Sequence, residues 1–226
     1  MNERILLTGL AMLAPRERFG FIRSLPQGAH VLDVGCGTNS PQRTKTLRPD
    51  LYYAGIDIGD YQQDADPRGI ADEYVLTSPE DFPAGVGKFS DMDAVISSHN
   101  FEHVYEPQPV LRAMVDALKP GGRLYMGFPC EESVGFPPRA GTLNFYDDDT
   151  HQQPPPWLET LRTLHGWGLN VEYAAKRYRP PLLWLGGLLG EPISSATKRV
   201  LPLHLTWSYW GFVSVIWARK GGPDFV

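Results

Sequence analysis

The stretch His30–Ser40, HVLDVGCGTNS, constrains the fold more than any other part of the chain. Val31, Leu32 and Val34 form an apolar run of the length expected for a strand buried on both faces of a parallel sheet. Gly35-Cys36-Gly37 follows at once, so the chain turns sharply where a strand hands over to a helix. Glycine accepts positive φ in such a turn and lets a ligand reach the backbone without meeting a Cβ. Asp33 adds a carboxylate at the strand end. Two glycines alone fit an ordinary strand-to-helix turn as well as a ligand cradle.

The same alternation continues downstream. Strands are expected at 51–58, 73–77, 92–98 and 123–128, with helices over about 38–48 and 108–118 between them. The second strand ends near Asp57. Lys119-Pro120-Gly121-Gly122 stops a helix, because the residue before proline disfavours α and Pro-Gly fits the centre of a type II turn. Residues from about 2 to 25 read as two short helices separated by Pro15. Later come a helix at 157–165 and strands at 169–178 and 209–218. The pattern predicts an α/β fold, with a mostly parallel, doubly wound sheet covered on both faces. At 226 residues one domain is expected: N-terminal helices over 1–28, a ligand-binding half at 29–129 and a substrate-side half at 130–226. That last part carries two insertions, 130–156 and 179–205.

The formal charge of −5 argues against a general nucleic-acid binder, which carries a basic face. Cys36 and Cys130 lie far apart without metal-ligand spacing and read as free thiols in a reducing, cytoplasmic compartment. The apolar run behind Arg4 has a barely basic start and helical spacing at Ile5, Leu6, Leu10 and Leu13. It is expected to be a helix packed on the domain, not a signal peptide.

Two ligand classes use a glycine turn after the first strand of such a sheet. A dinucleotide site wants G-x-G-x-x-G, and here the third glycine is Ser40. Asp57, 20 residues past Gly37, suits a ribose-binding acid in either class. Asp33 favours a ligand of net positive charge, since a carboxylate beside a pyrophosphate is repulsive. S-adenosylmethionine, with its sulfonium and no phosphate, fits better than NAD.

VLDVGCGTNS, GIDI, DAVISSHNFEHV and LKPGGRLYMGFP, in that order, resemble the successive motifs of the class I S-adenosylmethionine-dependent methyltransferases. The resemblance covers about residues 30–129. It implies a seven-stranded Rossmann-like methyltransferase sheet with an antiparallel last strand. It also implies S-adenosylmethionine as cofactor and S-adenosylhomocysteine as product. By that resemblance Asp33, Gly35, Cys36 and Gly37 line the methionine end, and Asp57 with Ile58 holds the ribose. Thr77, Ser78, Glu80 and Asp81 border the adenine, and Ser98, His99 and Asn100 lie beside the transferable methyl. Asn39 stands where many members have a third glycine.

A general base is needed only if the acceptor must lose a proton, and His99, His103 and His151 are the candidates. Glu102 and His103 occupy the family's common "EH" position and serve equally well to shape the pocket. The run Tyr146-Asp147-Asp148-Asp149-Thr150-His151 could orient His151 as a base or form a solvated acidic turn with Asp149 as a helix N-cap. Glu102, His103, Asp149 and His151 could hold a divalent cation, yet the expectation is a metal-free site. PPLLWLGGLLGEP with its flanking basic residues reads as a helical lid or a contact between copies, ahead of a peripheral membrane element. The expected partner is a small-molecule or glycan acceptor. The alternative is a catalytically silent, cofactor-binding scaffold or regulatory subunit of the same fold.

Overall fold

In the computed structural model, which describes residues 3–222, seven strands form one sheet in the order β3-β2-β1-β4-β5-β7-β6. β1 (His30–Val34), β2 (Tyr52–Asp57), β3 (Glu73–Leu76), β4 (Met92–Ser98) and β5 (Leu118–Pro129) run parallel. β7 (Val213–Lys220) is antiparallel both to β5 and to β6 (Leu169–Ala175). This is the doubly wound methyltransferase sheet that the motif order implies. The ends of the chain beyond 3 and 222, to which the sequence ranges above extend, lie outside the described residues.

Period-two alternation within the central strands explains why both faces are covered. Leu32, Val34, Val95, Leu124, Met126 and Phe128 point to one face. There they meet α4 (Phe82–Val86), α5 (Pro107–Ala117) and α6 (Trp157–Gly166). Val31, Ile96, Tyr125, Val215 and Trp217 point to the other. That face packs on α1 (Glu3–Leu13), α2 (Arg18–Arg23), α3 (Ser40–Leu47) and α7 (Pro181–Thr197). Each buried aliphatic side chain contributes roughly 1.5–3 kcal/mol, so the two layers jointly hold the sheet. The N-terminal apolar run is the helix α1, which buries Leu7 and Ala11.

Three sequence expectations change. α5 ends at Ala117, and β5 already begins at Leu118. Gly121 at φ +79 makes the expected turn inside the strand, where the pairing with β4 shifts register between Met92 and Ala94. Tyr209 and Trp210 belong to a helix, α8 (Leu205–Trp210), and not to the last strand. Gly211 at φ +62 stops that helix before β7 starts. The 179–205 insertion does hold a helix, the 17-residue α7, despite Gly186, Gly187, Gly190 and Pro192. A Cβ on Gly187 would stand 2.1 Å from the Leu205 carbonyl oxygen. That glycine sets a close helix approach and does not mark a loop. The acidic run also differs, since α6 starts at Trp157 with Pro156 as its cap and Asp149 caps nothing.

Candidate active site

β1 is the point where the strand order reverses, with β2 on one side and β4 on the other. Ligands of open α/β sheets lie beyond the carboxyl ends of strands at such a point. A cavity of about 460 Å³ opens there, lined among others by Asp57, Ile58, Glu80, Phe82, Asn100 and His103.

Gly35 adopts φ +80, and a Cβ on it would fall 2.4 Å from the Asn100 side chain. Only glycine keeps this turn and its neighbour in place. Thr38 and Asn39 follow in the left-handed region, at φ 54 and 56. Asparagine tolerates that conformation, which is how the sequence manages without a third glycine. The loop after β2 clamps the turn: Asn39 Nδ2 donates to Asp64 Oδ2 (2.6 Å), Asp64 N to Asn39 Oδ1 (2.7 Å), and Gln63 Nε2 to the Cys36 carbonyl (3.0 Å). The Cys36 sulfur itself packs toward Gly55 of β2, and burial pushes its thiol far up, so only its backbone faces the turn. Gly35→Ala adds both a clash and a strained φ. It is expected to weaken S-adenosylhomocysteine binding by roughly tenfold or more, read by calorimetry.

Asp33 is buried, and its Oδ2 accepts from Arg18 Nη2 (2.8 Å), Ser40 Oγ (2.5 Å) and Tyr53 Oη (2.6 Å). Much of the charge assigned to the ligand from sequence is therefore met by Arg18, a residue that carries no motif signal. Among the described residues, Asp33 Oδ1, Arg18 Nε and Asn100 Nδ2 are buried around this end without a partner. One acceptor and two donors suit a group bearing both an ammonium and a carboxylate.

Asp57 is 7% exposed, and Ile58 N donates to its Oδ1 at 2.7 Å. Burial, with the nearby Asp33 charge adding to it, pushes its carboxyl up to about 6. A Cβ on Gly37 would lie 3.7 Å from Asp57 Oδ2, so this glycine keeps the approach to the carboxylate open. Ile58 and Glu80 reach the cavity wall, while Ser78 is engaged in a local turn with Asp81.

Ser98 ends β4 opposite Gly127, and His99 N donates to the Gly127 carbonyl at 2.8 Å. His99 is held at φ 52, a conformation that costs energy for a non-glycine residue and recurs at functional sites. Its Nδ1 faces Glu102 Oε1 at 3.3 Å, and its ring lies against Trp207 of α8 (5.2 Å between centroids) and Phe212 (6.4 Å). The Glu102 side chain is fully buried and its Oε2 has no partner. The spacing of three between His99 and Glu102 was the available sequence signal for this pair. Trp207 had none.

His103 and His151 lie together, ring centroids 4.7 Å apart. Thr150 Oγ1 sits 2.9 Å from His103 Nδ1, and His151 Nδ1 donates to the Phe145 carbonyl at 2.6 Å. Burial holds His103 below the ordinary histidine range. Of the four residues considered for a cation, Glu102, His103 and His151 bring ligand atoms within 4.8 Å of one another, and Asp149 does not join them. Asp147 is structural: its Oδ2 accepts from the backbone N–H groups of Arg139, Leu143 and Asn144.

A family profile described as "Methyltransferase domain" matches residues 32–126. Residues 32–126 are thus similar to a methyltransferase domain, in line with the class I, S-adenosylmethionine-dependent motifs of the sequence. Over 107 residues it is 34% identical to the ubiquinone biosynthesis O-methyltransferase of Xanthomonas axonopodis pv. citri, covering 45% of this chain and 43% of that one. Over 124 residues it is 27% identical to the 27-O-demethylrifamycin SV methyltransferase of Amycolatopsis mediterranei, covering 49% and 42%. The chain thus spans less than half the length of these curated relatives. In fold it is similar to an S-adenosylmethionine-dependent methyltransferase from Mesorhizobium loti. The TM-score is 0.58 at 16% identity, over 89% of this chain and 97% of that one.

The family's cofactor is S-adenosylmethionine, and the methyltransferase cradle fits it. The buried Asp57 carboxylate at the end of β2 is an acceptor of the kind a ribose diol would need. The unpartnered Asp33 Oδ1, Arg18 Nε and Asn100 Nδ2 match an amino-acid terminus. Ile58 and Phe82 offer apolar wall to a base.

Proposed function

We propose that this chain transfers the methyl group of S-adenosylmethionine to a hydroxyl of a small molecule. The His99–Glu102 pair carries the reading. When bound, the cofactor supplies a methyl on a sulfonium, and displacement by an oxygen lone pair releases S-adenosylhomocysteine and the hydroxyl proton. With Nδ1 turned to Glu102, His99 keeps Nε2 free to take that proton. Glu102 fixes the tautomer and the ring. Trp207 and Phe212 flank the imidazole and keep bulk water from one side of it. Orientation of this kind is worth roughly 7–11 kcal/mol of barrier. The curated relatives named as O-methyltransferases support oxygen as the atom methylated. The chain acts as one unit in this reading, residues 29–129 holding cofactor and 130–222 shaping the acceptor side.

His103, which burial favours in its neutral form, and His151 line the acceptor side as hydrogen-bonding groups. The sulfonium is already an activated leaving group, so the transfer is proposed to need no Lewis acid. The test is methyl transfer from labelled S-adenosylmethionine to a panel of phenols, alcohols and glycosides, with and without chelator. Turnover of at least one hydroxyl acceptor, insensitive to chelator, is expected. Loss of turnover on chelation, restored by a divalent cation, would instead give Glu102, His103 and His151 to a metal. Cofactor binding with no turnover on any acceptor would favour the silent scaffold.

A further inference from the structure

The helix α7 is apolar on two opposite faces, and only one of them is covered. Leu183, Gly187 and Ser194 lie on the side that packs inward against the α8 segment and the sheet. At 100° per residue, Leu182, Leu185, Leu188, Leu189, Pro192 and Ile193 fall on a contiguous arc on the other side. Those side chains face solvent: Leu182 is 66% exposed, Leu189 74% and Ile193 61%. Leu203, just past the helix, is 46% exposed as well. A helix apolar all round is normally enclosed, and an apolar surface of this extent marks an interaction site.

The charges around the patch identify the occupant. Residues 176–204 hold five basic residues and one acid in a chain whose formal charge is −5. The one acid, Glu191, is bridged to Arg139. Lys176 is bridged to Glu131 and Glu132. Arg179, whose Nη2 also donates to the Trp210 carbonyl at 3.3 Å, and Lys198 and Arg199 stay exposed at the two ends of α7, without an ion-pair partner among the described residues. A second copy seated on this face by a two-fold axis would set these cations against themselves. An anionic lipid surface complements them and accepts the leucines. No helix among the described residues is long and apolar enough to cross a membrane, so α7 lies in the interface plane.

We infer that the outer face of α7 docks this protein on anionic lipid surfaces, with Leu182, Leu185, Leu189 and Ile193 entering the acyl boundary and Arg179, Lys198 and Arg199 meeting the headgroups. This rests on exposure and charge alone and stands apart from the choice of acceptor. α8 packs on the inner side of α7 and carries Trp207 to His99, so the docked face and the active site share one helical pair.

The test is co-sedimentation with vesicles of phosphatidylcholine containing phosphatidylglycerol, and with phosphatidylcholine alone. The wild type is expected to pellet with the anionic vesicles, less so at high salt, and weakly with the neutral ones. The double variant Leu185→Glu, Leu189→Glu changes exposed positions only. It is expected to lose about tenfold or more of this partition, with thermal unfolding and S-adenosylhomocysteine affinity retained. Lys198→Glu with Arg199→Glu should weaken binding to the anionic vesicles alone. Wild-type protein that stays in the supernatant overturns the inference, as does unchanged pelleting of the leucine variant. So does a wild-type dimer, seen by light scattering without lipid, that the leucine variant splits into monomers.

Discussion

Replacing His99 by alanine is expected to lower kcat about 100- to 10,000-fold, the range spanned by a positioned general base. Affinity for S-adenosylhomocysteine should hold, because the glycine turn and Asp57 are left intact. The expected size follows from how the imidazole is held. Its main chain is fixed by the bond to Gly127, its Nδ1 by Glu102 and its ring by Trp207 and Phe212. Glu102→Gln keeps the shape but loses the carboxylate. It should reduce kcat less than His99→Ala and displace the pH profile of kcat, which a purely structural role for Glu102 would leave alone. Single-turnover methyl transfer at saturating cofactor measures both. A His99→Ala enzyme with wild-type kcat would remove the base from the mechanism.

Asp57→Asn is expected to move folding and binding in opposite directions. In the folded chain the carboxyl ionises near 6, above its ordinary value of 3.8. An acid whose folded value is raised binds more protons folded than unfolded across that window. Stability of the ligand-free protein therefore falls as pH rises from about 4 to 6, and the loss is complete above that. At about 1.4 kcal/mol per pH unit, the buried charge costs about 3 kcal/mol at neutral pH. The amide of the variant has no charge to desolvate, so the ligand-free variant should unfold at a higher temperature at pH 7.5 than the wild type, the gap closing toward pH 4. Cofactor affinity goes the other way. Losing two hydrogen bonds to a charged group, each worth about 1.5–3 kcal/mol, predicts S-adenosylhomocysteine binding weaker by roughly 100-fold or more. Wild-type affinity should also drop as pH falls through 6, where the acceptor becomes protonated. Scanning calorimetry and titration calorimetry over that pH range test both signs. An Asp57→Asn variant less stable than wild type when empty would refute the stored penalty.

The strands were legible because each is a short apolar run bounded by glycine, proline or acids, and Met92–Ser98 occupies the range expected for it. The α7 helix was legible only as a helical element within an insertion, and not in its 17-residue extent, since three glycines and a proline argue locally against it. What overrides them is tertiary: Gly187 is there so that Leu205 can approach. Tyr209 and Trp210 look like strand residues by type, but Gly211 gives the chain a left-handed stop and leaves them in a helix. In the site, Gly35 and Asp57 could be found because a turn and a strand end fix them within a few residues. Arg18 could not. It reaches Asp33 from a helix 15 residues earlier, and nothing local marks it. For His151, sequence offered neighbouring acids as partners; its Nδ1 bond goes instead to a backbone carbonyl, with Asp148 3.9 Å from Nε2.

The placement of β7 between β5 and β6 has a consequence for how the molecule is made. Among the described residues β6 pairs with no strand but β7, and β5 presents an open edge on that side until Val213–Lys220 takes its place. β7 therefore reaches its seat only after the β6–α7–α8 segment has been synthesised, and a contact of such long sequence range forms slowly. Until then the growing chain offers a bare apolar strand edge to any neighbour. Lesions in Ile216 or Trp217 should accordingly surface as lost yield and aggregation during synthesis.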